Sequence, residues 1–221
     1  MKKGVVFLLL TILSLILDVV AELLDIFWLK AIFQPATMLF LTLYYVLSTK
    51  LVNRLLTIGL ISMFLGEIVF LGGDDVYFVY GILFDVIAHI LYTFAIWKMI
   101  RQHNFNLLQI LLSFILFFSF LGVFLVLTYS QLGEFRLPVI FYGMTLCIMG
   151  AVTTLYYLCK VNIPSLIMLG GITVLVLSAL AVGFDKFYIR YQYFEVFNII
   201  TFALSQFLIC YAMILVSKKS Y

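Results

Sequence analysis

Glu67, Asp85, His89 and Tyr92 carry groups that can give, take or hold a proton, and all four lie inside long apolar stretches. An ionisable group at bilayer depth costs roughly 2.5 to 3.5 kcal/mol on insertion scales, so such groups face a cavity or one another and mark a working site. Asp85 and His89 are four residues apart and share a helix face, and Tyr92 continues the same stripe three residues on. One face thus offers an acid, a base and a hydroxyl, and the spacing predicts that the Asp85 carboxylate orients the His89 imidazole. Asp18 and Glu22 form a second stripe, and Gln34 stands beside Pro35. Glu195, Asn198, Ser205 and Gln206 add polar groups to the last apolar run. Each also suits a purely structural role. Asp85 with His89 would serve as a buried ion pair, Glu67, Asn198 and Gln206 as interhelical hydrogen-bonding groups, and Asp18 and Glu22 as wet interfacial residues.

The elements that position these residues follow from composition. Apolar residues make up 66% of the 221-residue chain and charged residues 10%, and the mean hydropathy is +1.25. No polar stretch is longer than a short loop, so the chain reads as an all-α polytopic membrane protein with no soluble domain. A span needs about 20 apolar residues. Charge and turn clusters divide residues 1–221 into one transmembrane domain of eight spans, at about 4–24, 31–48, 54–72, 77–99, 106–128, 137–159, 164–183 and 193–216.

Lys2, Lys3, Lys50, Arg54, Lys98, Arg101, Lys160, Lys218 and Lys219 fall at one set of span ends, against Lys30, Arg136, Lys186 and Arg190 at the other. By the positive-inside rule both termini are expected in the cytoplasm, as in a bacterial inner-membrane protein. The net charge of +3 is then a topology signal and not a nucleic-acid footprint. Lys2 and Lys3 ahead of an apolar run would also suit a cleaved signal peptide, with Val19 and Ala21 near the cut. Its removal would leave seven spans and break the charge alternation, so the run is read as a span. Cys147, Cys159 and Cys210 all fall within spans, and an odd number there makes no disulfide framework.

A weak internal repeat pairs Pro35 with Pro138 at the opening of the second and sixth spans, and the Gly66 region with Ser178. It suggests two four-span halves in parallel. At 1.5 Å per residue, Glu67 lies about 6 Å, Asp85 about 12 Å and His89 about 18 Å below the outer end. The polar groups therefore gather in the outer half, as a crevice open to that side would require.

These residues carry a resemblance. Gln34-Pro35, Phe64-Leu65-Gly66-Glu67, Tyr80-Gly81 with Phe84, Ala88-His89 followed by Tyr92, and Thr201 with Gln206-Phe207-Leu208-Ile209 resemble, in order and spacing, the YhhN family of eight-span proteins, which includes the animal lysoplasmalogenases. The resemblance implies hydrolysis of the vinyl ether of a lysoplasmalogen to a fatty aldehyde and a glycerophospho-headgroup. That chemistry needs a proton donor for the vinyl carbon and a base for water. A carboxyl group in an apolar setting can keep its proton for this purpose, and Glu67 is the candidate. The chain also departs from the family, which usually has Lys at Gln34, Asp at Glu67, and a second Asp after serine where this chain has Ser178-Ala179. Asp85 could supply the missing carboxylate.

Two functions follow. One is a divergent intramembrane hydrolase with Glu67 as acid and His89, supported by Asp85, as base; Gln34, Tyr92, Ser178, Gln206 and Asp18 would bind the substrate. The other is a non-catalytic lipid or small-molecule binder or carrier. Either way the expected partners are a lysolipid or similar amphiphile and the surrounding membrane lipids, with no cofactor. His89 and His103 cannot build a His-rich metal site, though carboxylates could hold a hard cation. Oligomeric state leaves no trace in the sequence.

Overall fold

The computed structural model describes residues 2–189 and 191–219, apart from the side chains of Lys2, Gln192 and Lys219. Arg190 lies outside the described residues, and with it one cation of the charge count. Among the described residues eight α-helices follow one another: α1 Lys2–Leu23, α2 Phe27–Ser48, α3 Arg54–Phe70, α4 Asp75–Ile100, α5 Leu107–Thr128, α6 Arg136–Cys159, α7 Ile163–Phe187 and α8 Gln192–Lys219. A 3₁₀ turn, Gly133–Phe135, precedes α6. Among the described residues, seven of these helices are at least 18 residues long and apolar enough to cross a bilayer. The eighth, α3, has 17 residues, at the lower limit for a span. The chain is an all-α integral membrane protein.

Short polar connections set the helix starts at one end of the bundle. Asn53 caps α3 by accepting from the backbone N–H groups of Leu55 and Leu56. Asn106 with Gln109, and Asn162 with Ser165, make capping boxes that open α5 and α7. The start of α1 and the close of α8 lie at this end: Gly4 of α1 faces Ser48 at the close of α2, and Thr49 Oγ1 donates to Ser217 Oγ of α8 across 2.8 Å. The opposite end carries tighter turns, with Gly73 at φ 76° between α3 and α4 and Gly133 at φ 51° before α6.

α2 begins earlier than the expected residue 31, and Pro35 lies inside it rather than opening it. The charge of Lys30 had read as a loop signal. It sits in the helix because Glu22 of α1 and Glu195 of α8 hold its ammonium at 2.5 and 3.5 Å. Pro35 removes one backbone donor from the helix, a loss that membrane helices tolerate where neighbouring helices pack over it.

α3 packs on α4, α7 on α8 and α1 on α2, while α4 meets α6 and α8 meets both α1 and α2. Small residues permit close approach of α3 to α4 and of α7 to α8 at matching places. Gly59 and Gly66 of α3 face Tyr92 and Asp85 of α4, and 112 residues on, Gly171 faces Leu208 and Ile209 and Ser178 bonds Asn198 of α8. The core includes these contacts and centres on Met38, Leu41, Leu60, Met63, Tyr92, Met149 and Ile172, all at most 1% exposed.

Candidate functional site

A cavity of about 950 Å³ occupies the half of the bundle away from the start of α1 and the close of α8. Its α1–α4 wall is polar. α1 supplies Asp18 and Glu22, α2 supplies Lys30, Gln34 and Thr37, α3 supplies Glu67, and α4 supplies Asp85. The Thr37 hydroxyl donates back to the Phe33 carbonyl at 2.9 Å, whereas the carboxyl and amide groups bond one another, Lys30 or nothing and face the cavity. Gln34 Nε2 donates to Glu67 Oε2 at 2.7 Å. Asp85 packs against Gly66, the residue before Glu67: a Cβ at Gly66 would approach Asp85 Oδ1 to 3.3 Å. Asp85 is 7% and Asp18 3% exposed. Asp18 Oδ1, Gln34 Oε1 and Asp85 Oδ1 at the cavity, and His89 Nε2 in the packed interior, have no hydrogen-bond partner among the described residues. Three buried acceptors therefore stand at one cavity wall, where a bound molecule can supply the donors.

The remaining residues singled out from sequence divide in two. Ser178 lines the cavity, its hydroxyl donating to Asn198 Oδ1 at 2.5 Å, and Ala179 lines it as well. His89, Tyr92 and Gln206 are fully buried but belong to the packed interior and do not line it. Tyr92 Oη donates to Gln206 Oε1 at 3.0 Å, and Gln206 Nε2 meets Met63 Sδ at 3.9 Å, which ties α4, α8 and α3 together. No hydrogen bond joins Asp85 to His89. The expected carboxylate–imidazole pair is absent because the His89 ring turns toward α6, with Nδ1 3.4 Å from Thr145 Oγ1 and the ring 5.1 Å from that of Tyr142. Sharing a helix face brings two side chains near each other but does not decide which neighbour each one bonds.

Sequence reasoning missed two members of the site. Tyr142 lines the cavity and rests on His89, yet it stands only six residues into α6, where it looks like one more interfacial aromatic. Lys30 had counted only toward topology. It is the cation that balances Glu22 and Glu195 at the mouth. Among the described residues, no three His, Cys, Asp or Glu side chains are arranged to hold a metal ion.

The model of the YhhN family matches residues 29–213, which takes in α2 to most of α8 and every cavity-lining position named above except those on α1. The chain belongs to the YhhN family. No curated protein and no solved structure matches it. Within this YhhN chain the three positions that the sequence marked as departures, Gln34, Glu67 and Ala179, face the same cavity from α2, α3 and α7. A carboxylate restored at Ala179 would therefore join Glu67 and Asp85 in one space rather than create a second site.

Proposed function

We propose that this protein is an intramembrane hydrolase cleaving the vinyl ether of a single-chain lysolipid, with Glu67 as proton donor and Asp85 as base. The observation that carries the reading is that Glu67 and Asp85 line one cavity large enough for an amphiphile, with Asp85 packed against Gly66 beside Glu67. The Gln34 amide engages Glu67 Oε2, which leaves Oε1 to carry the proton. Transfer of that proton to the vinyl carbon gives an oxocarbenium ion. Water adds to it as Asp85 takes a proton, forming a hemiacetal. Asp85 then protonates the departing ether oxygen while the hemiacetal hydroxyl returns its proton to Glu67. Aldehyde and glycerophospho-alcohol leave, and both carboxyl groups regain their starting states.

The test is a product survey: purified protein, lysoplasmenyl-ethanolamine and lysoplasmenyl-choline among mixed lysolipids, read by mass spectrometry. Fatty aldehyde release is expected. A second reading, a binder that has lost catalysis, draws on Ala179, which lines the cavity where the family usually has an aspartate. If native protein releases nothing and Ala179→Asp releases aldehyde, the binder reading replaces the hydrolase.

The proposed setting is a bacterial cytoplasmic membrane with eight spans, two parallel four-helix halves and both termini inside. The 112-residue correspondence of Gly59 with Gly171 and Gly66 with Ser178 supports the halves, and the Lys and Arg distribution supports the orientation. Reporter fusions after Thr49, Gln102, Lys160 and Lys219 should read as cytoplasmic, and those after Gly73, Gly133 and Lys186 as external. An external reading at Lys219 would overturn this topology.

A further inference from the structure

We propose that the cavity branch between α5, α6, α7 and α8 holds the hydrocarbon chain of a single-chain amphiphile, and that Leu121 and Phe124 of α5 set its width. This rests on the reading of the cavity as a lysolipid site. The lining is unevenly divided. The α1–α4 side presents Asp18, Gln34, Glu67 and Asp85, α5 and α6 present Leu121, Phe124, Val139 and Leu146, and α7 and α8 add Leu175, Leu180 and Phe202 beside the polar Ser178, Asn198 and Glu195. Leu146 lies ten residues into α6, about 15 Å from its start, so the branch runs toward the middle of the bilayer. A lipid in that leaflet points its chain the same way, with its head at the Lys30 end.

Two further features give the branch the form of a tail site. Its top is roofed by the rings of Phe78, Phe135 and Phe187, whose centroids lie 5.6 to 6.2 Å apart. Lys186 sits 4.2 Å above the Phe78 ring and bonds Asp75 at 3.0 Å. The flank of the branch is sealed by glycines. A Cβ at Gly183 of α7 would lie 2.6 Å from the Phe124 ring, and one at Gly143 of α6 would lie 2.5 Å from Leu121 Cδ1. Only hydrogen at these positions lets the two α5 side chains seat against α6 and α7, so bulk added at Gly183 must push Phe124 into the branch.

The experiment uses the full chain in nanodiscs with a lysophosphatidylcholine bearing a diazirine at the end of its hexadecanoyl chain, with adducts mapped by mass spectrometry. Adducts are expected on Leu121, Phe124, Leu146 or Leu175 and should be suppressed by excess hexadecyl lysophosphocholine, an ether analogue without the diazirine. Gly183→Leu should cut them by about 10-fold or more. Phe124→Ala, which removes bulk and avoids the folding risk of an added side chain, should shift labelling in favour of longer-chain probes. Adducts confined to lipid-facing residues such as Val123 and Val126, or not suppressed by the analogue, overturn the proposal. Labelling of the branch without aldehyde release keeps the chain site and rejects the hydrolase. Aldehyde release with adducts only on the lipid face does the reverse.

Discussion

Glu67→Gln is expected to lower aldehyde release by about 100-fold or more while the protein folds and survives purification unchanged. The amide keeps the length and shape of the side chain, and its carbonyl oxygen can still accept from Gln34 Nε2, which now lies 2.7 Å from Glu67 Oε2. What it lacks is a transferable proton. If the contact mattered only for holding α2 to α3, Gln would serve nearly as well, because interhelical polar contacts average about 0.6 kcal/mol. Turnover and thermal unfolding measured on the same preparation separate the two roles. Equal turnover by native and variant protein would remove Glu67 from the mechanism.

Asp85→Asn should be nearly as damaging, again roughly 100-fold, because Asn cannot take a proton from water. The informative comparison is His89→Gln. The His89 ring meets Thr145 and Tyr142 in the interior, and no hydrogen bond reaches it from Asp85. Its replacement should therefore act mainly on stability, lowering the unfolding temperature and leaving turnover per folded molecule much less affected than the Asp85 change. A double-mutant cycle in unfolding should place the coupling of His89 with Thr145 rather than with Asp85, since energetic coupling follows contact. A turnover loss for His89→Gln that equals that of Asp85→Asn would return the imidazole to the role of base.

Some of this was readable along the chain. Hydropathy and length mark the helices because a bilayer admits few spanning structures and makes every uncompensated polar group costly. The same cost singled out Glu67, Asp85 and Asp18 as groups that must face a cavity or a partner, and all three line the cavity. The start of α2 was not readable, because Lys30 is made tolerable inside the helix by Glu22 of α1 and Glu195 of α8, side chains that only helix packing brings to it. The partition of the polar residues was not readable either. Periodicity places Asp85, His89 and Tyr92 on one face of α4, but that face is shared among α3, α6 and α8, and each side chain takes the neighbour it meets. Asp85 packs against Gly66 and lines the cavity, His89 turns to Thr145, and Tyr92 reaches Gln206. The sequence by itself thus determined the membrane class, the helices and the set of groups that must be compensated. Only the tertiary structure decided which of them are compensated by packing and which are left facing the cavity, because compensation depends on side chains from helices distant in the chain.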